Sequence, residues 1–306
     1  MIQNKTVLVL GAGASCPYGF PDGRGLVSEI IKSASDERKR IYHEACFDEN
    51  ILRDFSDSLL KSDTDSIDLF LTHHSGFRTI GKFAIALNIM RKEEPKSLLS
   101  DHKSKWYSYL FSRLADEGPL LHGNAVNVIT FNYDRSFEFY LYNRLIHNYG
   151  MEKQDAAEVV KQLNIHHVHG QLGYLEWHAH DDGPRHFSPE FTHEDVTKAA
   201  KHIKILYEKD RIDFPEPTPI QRLIHEAQNV FFLGFGYHRE NMKILGFEPN
   251  GKDQRRRDNQ RLTGTFYRWT DAEMTCFKEL YDGFDTTDSD LDVSLFLRSN
   301  LFFLKS

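Results

Sequence analysis

Val7-Leu8-Val9-Leu10-Gly11-Ala12-Gly13-Ala14-Ser15 decides the fold. Four consecutive β-branched or leucine residues, stopped by glycine, read as a parallel strand buried on both faces. A glycine-rich turn straight after such a strand lets backbone approach a phosphate, with the dipole of a following helix aimed at it. The dehydrogenase form of this turn would place a third glycine at position 16, where Cys16 stands. No convincing acidic residue follows at the end of a second strand to hold a ribose, so a plain dehydrogenase is disfavoured. Taken alone, the turn could equally be a tight structural connection.

Working outward, three more apolar runs have the same character: Val126 to Phe131, Ile165 to Val168, and Val230 to Leu233 before Gly234. Helical spacings lie between them. Phe137, Tyr140, Leu141, Arg144 and Leu145 share one face, and Ile220, Leu223, Ile224 and Ala227 share another. Strands alternating with helices predict an α/β fold, a Rossmann-like doubly wound parallel sheet of six or seven strands. The stretch from about 35 to 123 carries helical patterns (SIDLFL, KFAIALNIM, KWYSYLFSRLA) and no convincing strand. It is expected to be a helical insertion subdomain within a single domain spanning 1–306. Asp182-Gly183-Pro184 and Pro215-Glu216-Pro217 mark turns, and Lys252 to Gln260 reads as a polar loop.

The bulk properties exclude several classes. With 306 residues, 40% hydrophobic and 27% charged, the chain can build a large core. A net charge of −7 argues against a general nucleic-acid binder. The basic run Arg255-Arg256-Arg257, with Lys252 and Arg261, is read as a solvated loop. No apolar run approaches the ~18 residues of a membrane span, and Val7–Leu10 is too short for a signal-peptide core. Cys16, Cys46 and Cys276 lie far apart, with no CxxC pair and no disulfide framework, so a cytoplasmic location is expected.

The chemistry-bearing residues gather at the carboxyl ends of the expected strands, where doubly wound folds bind ligands. Gly11-Ala12-Gly13-Ala14-Ser15 follows the first, and Tyr18-Gly19-Phe20-Pro21-Asp22-Gly23-Arg24 comes shortly after. Thr130-Phe131-Asn132-Tyr133-Asp134 ends the second, His167-Val168-His169-Gly170 the third, and Gly234-Phe235-Gly236 the fourth. As an ordered set, over about a fifth of the chain, these motifs resemble the sirtuin family. Two departures stand out: Gly23 replaces a phenylalanine of the deacylases, and their two zinc-binding CxxC pairs are missing. Without the zinc module and with a helical insertion, the chain is similar to the zinc-free sirtuin-like NADases of bacterial antiviral defence.

That resemblance implies NAD as substrate, cleaved to nicotinamide and ADP-ribose, with no zinc. It assigns Asn132 to the nicotinamide ribose and the attacking water, and His169 to the ribose hydroxyls as a base. Asp134 would hold the carboxamide; as a residue, it could equally cap the helix that follows. Gly11, Ala12, Gly13, Ala14 and Ser15 would cradle the phosphates, and Pro21 with Asp22 would line the nicotinamide pocket. Thr130 belongs to the same strand end, and Gly234, Phe235 and Gly236 would meet the adenosine half. Asn132 could otherwise be a turn residue and His169 a core histidine. The cluster His178, His180, Asp181, Asp182, His186 and His193 matches no standard metal spacing and is read as a solvated loop.

Such an activity is toxic unless restrained, so the resemblance also implies abortive infection as the setting and a protein partner in trans. A helicase-like ATPase, an Argonaute-type protein or a nucleotide-sensing subunit would fit, and homo-oligomerisation is expected. Two rivals share the motifs: a zinc-free protein deacylase, and a non-catalytic module sensing NAD or ADP-ribose.

Overall fold

Each of the four apolar runs forms a strand in the computed structural model, which describes residues 2–100, 105–115, 118, 124–178, 180–205, 217–249, 259–287 and 290–300. Six parallel strands make one sheet: β1 (Thr6–Leu10), β2 (Val126–Thr130), β3 (Ile165–His167), β4 (Asn229–Leu233), β5 (Arg261–Gly264) and β6 (Phe284–Asp285). Their order is β3-β2-β1-β4-β5-β6. The fold is therefore α/β with a doubly wound, Rossmann-like sheet, and the order reverses beside β1. β1 pairs with β2 on one side (Thr6 with Val126, Leu10 with Thr130) and with β4 on the other (Thr6 with Asn229, Leu10 with Leu233).

The continuous apolar runs are explained by two separate cores. Leu8, Leu10, Val126, Val128, Phe231 and Leu233 face one, while Val7, Val9, Ile129, Val230, Phe232 and Leu262 face the other. Successive strand residues point to opposite faces, so a strand covered on both sides has no polar phase. β3 differs from expectation in being an edge strand, and its three residues are only half-buried.

The first core is the larger. It includes residues of the helices Gly23–Ser33, Lys39–Glu44, Glu49–Lys61, Ile67–His73, Arg78–Met90, Pro95–Leu99 and Trp106–Leu114, all lying between β1 and β2. Among the described residues, the stretch 35–123 contains helices and no strand. Helix Arg78–Met90 is buried nearly all round, as its weakly amphipathic sequence requires, and packs on Gly23–Ser33 and His193–Lys201. The helices of the insertion thus share one core with the sheet. The opposite face is covered by Pro219–Glu226, Arg239–Ile244 and Asp271–Leu280.

Among the described residues no helix is long and apolar enough to cross a membrane. Arg255, Arg256, Arg257 and Lys252, with the Pro215-Glu216 turn, lie outside the described residues. Gln260 is buried rather than part of a polar loop, its amide donating to the carbonyls of Ile224 and Ala227.

Candidate functional site

The loops at the carboxyl ends of β1, β2 and β4 come together. Residues Ala12–Ala14 and Cys16–Tyr18 form two short 3-10 turns, with Gly19 left-handed (φ 88°) between them and the next helix. The glycines here have a steric cause. A Cβ on Gly11 would lie 2.5 Å, and on Gly13 2.9 Å, from the Gly234 carbonyl oxygen, and Gly234 itself has φ +56°. Gly11 N–H donates to Leu233 O, Gly13 N–H to Gly234 O, Ala14 N–H to Gly11 O and Ser15 N–H to Ala12 O. Four of the loop's five amides therefore bond within the protein, and the loop is held against the β4 end backbone to backbone.

Asn132 sits just past β2 and is buried. Its N–H donates to Thr130 Oγ1 at 3.1 Å, which fixes the turn. Its Nδ2 donates to Ser15 Oγ at 3.0 Å, while Oδ1 is buried with no hydrogen-bond partner. Ser15 is itself buried and shares a polar network with Asn132. The network continues through Asp134, which accepts from Ser136 N at 3.0 Å and from the Ser136 hydroxyl, and whose carboxyl also meets Ser15. Tyr107 OH closes it at 2.7 Å from Ser136 Oγ. Burial pushes the Asp134 carboxyl above the ordinary carboxylate range, although the Ser136 hydrogen bonds pull the other way. One Asp134 oxygen therefore bonds Ser136, the first residue of helix Ser136–Tyr149, although the N-cap position is Arg135, whose side chain makes no capping bond. Leu10, Ser15, Asn132, Asp134, Tyr107 and Glu138 help to line a cavity of about 10 Å³, room for about one water.

His169 is buried beyond the end of β3, its ring 5.4 Å from Phe131 and 6.0 Å from Tyr133. It lies one strand over from Asn132, consistent with the β2–β3 pairing of Thr130 with His167. Phe235 is also buried, edge-on to Phe131 at 5.1 Å, whereas Gly236 is exposed. Asp22 caps helix Gly23–Ser33 through Gly25 N at 2.7 Å and is exposed beside the half-buried Pro21. Gly23 has its own constraint, because a Cβ there would lie 2.7 Å from Asp65 O.

His167 stands in a quoted motif without an assigned role, and its partner Glu138 stands in none. His167 Nε2 lies 2.9 Å from Glu138 Oε1, and its Nδ1 lies 3.2 Å from the Asn132 carbonyl oxygen. Burial would lower the His167 pKa, but the Glu138 carboxylate outweighs it and the net shift is upward. Burial would raise Glu138, but the His167 charge reverses that, and its pKa falls. Both shifts favour the ionised form of the pair, which lies against the Asn132 carbonyl.

The second unsignalled group is Glu93, completely buried. Its carboxylate takes two bonds from Arg135, at 3.1 Å from Nε and 2.9 Å from Nη2, and a short one from Arg185. Arg135 also donates to the carbonyls of Arg185 and His186. Further ties join the helical layer to the site. Trp106 Nε1 donates to Ala14 O at 2.7 Å, Tyr18 stacks on Tyr107 at 3.8 Å, and Tyr133 OH bonds Asp68.

The histidine-rich segment divides. His178 Nδ1 accepts from Leu175 N, His186 pairs with Glu176, and His193 with Glu194. His180 and Asp182 instead meet His202, which sequence spacing had not connected to them.

Compared with known proteins, the chain matches no family model and no curated protein sequence. The fold and site define a Rossmann-like α/β protein with a buried Asn–Ser–Asp network at the strand ends.

Proposed function

We propose that the chain is an NAD glycohydrolase, converting NAD and water to nicotinamide, ADP-ribose and a proton. The observation that carries this reading is Asn132: a buried carboxamide at a strand end, anchored through Nδ2 to Ser15, with its Oδ1 left as an unpartnered acceptor. A buried amide oxygen without a donor costs about 1–3 kcal/mol. A ribose hydroxyl or a water at C1′ would supply the missing donor. In the proposed step the C1′–N bond breaks, its electron pair leaving on the nicotinamide nitrogen. Water oxygen attacks C1′, and His169 takes the water's proton. The Asp134 carboxylate would stabilise the oxocarbenium-like charge that develops.

The cavity that Asn132 and Asp134 help to line has room for about one water. The helical layer is bonded to the loops around Asn132 at Ala14 and Tyr133. A partner in trans, or self-assembly, that shifts this layer would open the pocket, which fits a restrained antiviral effector.

The test is incubation of the purified chain with NAD, alone and with the protein of the neighbouring gene, read by separating nicotinamide from ADP-ribose. Asn132→Ala and His169→Ala should each abolish cleavage in folded protein, with Asn132→Ala costing at least ~2.7 kcal/mol of barrier. Near-native turnover in either variant would remove that residue from the reaction. Nicotinamide release only in the presence of an acylated peptide would favour a deacylase instead.

A further inference from the structure

His180, Asp182 and His202 converge although helix His193–Lys201 separates the last of them from the others in sequence. Asp182 Oδ2 lies 3.2 Å from His202 Nε2 and 3.6 Å from His180 Nδ1, and all three ligand atoms fall within 4.8 Å of one another. Tetrahedral zinc with nitrogen and oxygen ligands at ~2.0–2.2 Å sets neighbouring ligand atoms ~3.3–3.6 Å apart. Both distances to Asp182 are close to that spacing.

The surroundings hold the rings in place. Tyr174 stacks on His180 at 3.9 Å and meets the edge of His202 at 5.1 Å. His180 and Asp182 stand on a tight turn closed by Gly183 N–H to His180 O, with Gly183 left-handed. The His202 backbone is pressed against Gly170, where an added Cβ would lie 1.8 Å from His202 O. His180 Nδ1 accepts the Asp182 N–H at 3.2 Å, a contact that an arriving ion would displace.

We propose that His180, Asp182 and His202 form a site for one divalent transition-metal ion of zinc-like preference, with water completing its coordination. Two imidazoles and one carboxylate suit zinc, cobalt or nickel better than calcium or magnesium. The ion staples the turn after β3 to the end of helix His193–Lys201. That junction also carries the Gly170–Ile203 bridge and the bond from Lys204 N–H to His169 O, so the ion braces the segment paired with His169 and Gly170. The site stands whether or not the chain cleaves NAD.

The experiment uses the full chain, treated with a chelator, dialysed and titrated with zinc chloride by calorimetry, with cobalt(II) absorption as a second probe. One equivalent should bind and raise the melting temperature. His180→Ala and Asp182→Asn, both at an exposed turn, should each weaken binding by at least about tenfold. His186→Ala and His193→Ala should leave it unchanged. No stoichiometric uptake, or uptake that survives both His180→Ala and Asp182→Asn, overturns the proposal.

Discussion

Replacing Glu93 by glutamine tests whether a single buried carboxylate holds the site together. Glu93 and Arg135 are both fully buried, and Arg185 is nearly so. The carboxylate joins three segments: the turn after helix Arg78–Met90, the residue that follows Asp134, and the loop beyond His169. Glutamine keeps one acceptor oxygen but turns an amide N–H₂ towards a guanidinium, so at least one bond is lost and two buried cations lose their counter-charge. Breaking a buried pair by removing one partner costs ~3–5 kcal/mol. At ~2 °C per kcal/mol for a chain of this size, the melting temperature should fall by ~6–10 °C. Burial also predicts salt insensitivity, because screening acts mainly on exposed charges. The assay is thermal and urea unfolding of wild type and Glu93→Gln in low salt and in high salt. A loss below about 1 kcal/mol, typical of surface pairs, or a loss that vanishes in high salt, would refute the reasoning.

Two further outcomes follow from the buried ionisable groups. Asp134→Asn should melt at or above the wild-type temperature near neutral pH while NAD cleavage falls about 100-fold. The sign follows from the raised Asp134 pKa: its charge costs stability as pH climbs from the ordinary 3.8 through the folded value, and asparagine escapes that cost. A clearly destabilised variant would contradict it. For the His167–Glu138 pair, the His167 contribution is complete below its ordinary 6.5 and is lost as pH rises through its raised folded value. The Glu138 contribution is present above its ordinary 4.5 and is lost as pH falls through its lowered folded value. The stability gap between wild type and the His167→Gln, Glu138→Gln double variant should therefore be widest between about pH 4.5 and 6.5 and narrow on the alkaline side. A gap that stays constant up to pH 9, measured by urea unfolding, would argue against an ionised pair.

How far the sequence reaches depends on how local the signal is. β1, β2 and β4 were legible because burial on both faces leaves an unbroken apolar run. β5 and β6 were not: Arg261 opens β5, Gly264 ends it, and β6 has only two residues. The motifs put Asn132, Ser15 and Asp134 near one another through parallel pairing alone. Sequence could not reveal that Ser15 turns inward, since that depends on where the Asn132 amide points. Glu138, Glu93, Arg135 and Arg185 carried no signal, because their meaning comes from partners far along the chain. The same holds for His202, whose relation to His180 exists only after a helix has folded between them.

β1 also has a consequence for synthesis. It emerges early, but its two neighbours come much later: Lys5 N–H bonds the side chain of Gln228, 223 residues further on. Contacts this distant are slow to form, and half-made sheets expose edges that invite association. During translation the β4 side of the strand can be paired only after the chain has been made as far as Gln228, 223 residues beyond Lys5. The helices between β1 and β2 share a core with it, so they are placed to cover one face of that waiting strand. The glycine loop reaches its final seat only when Gly234 arrives, so the site cannot be completed before β4 is made.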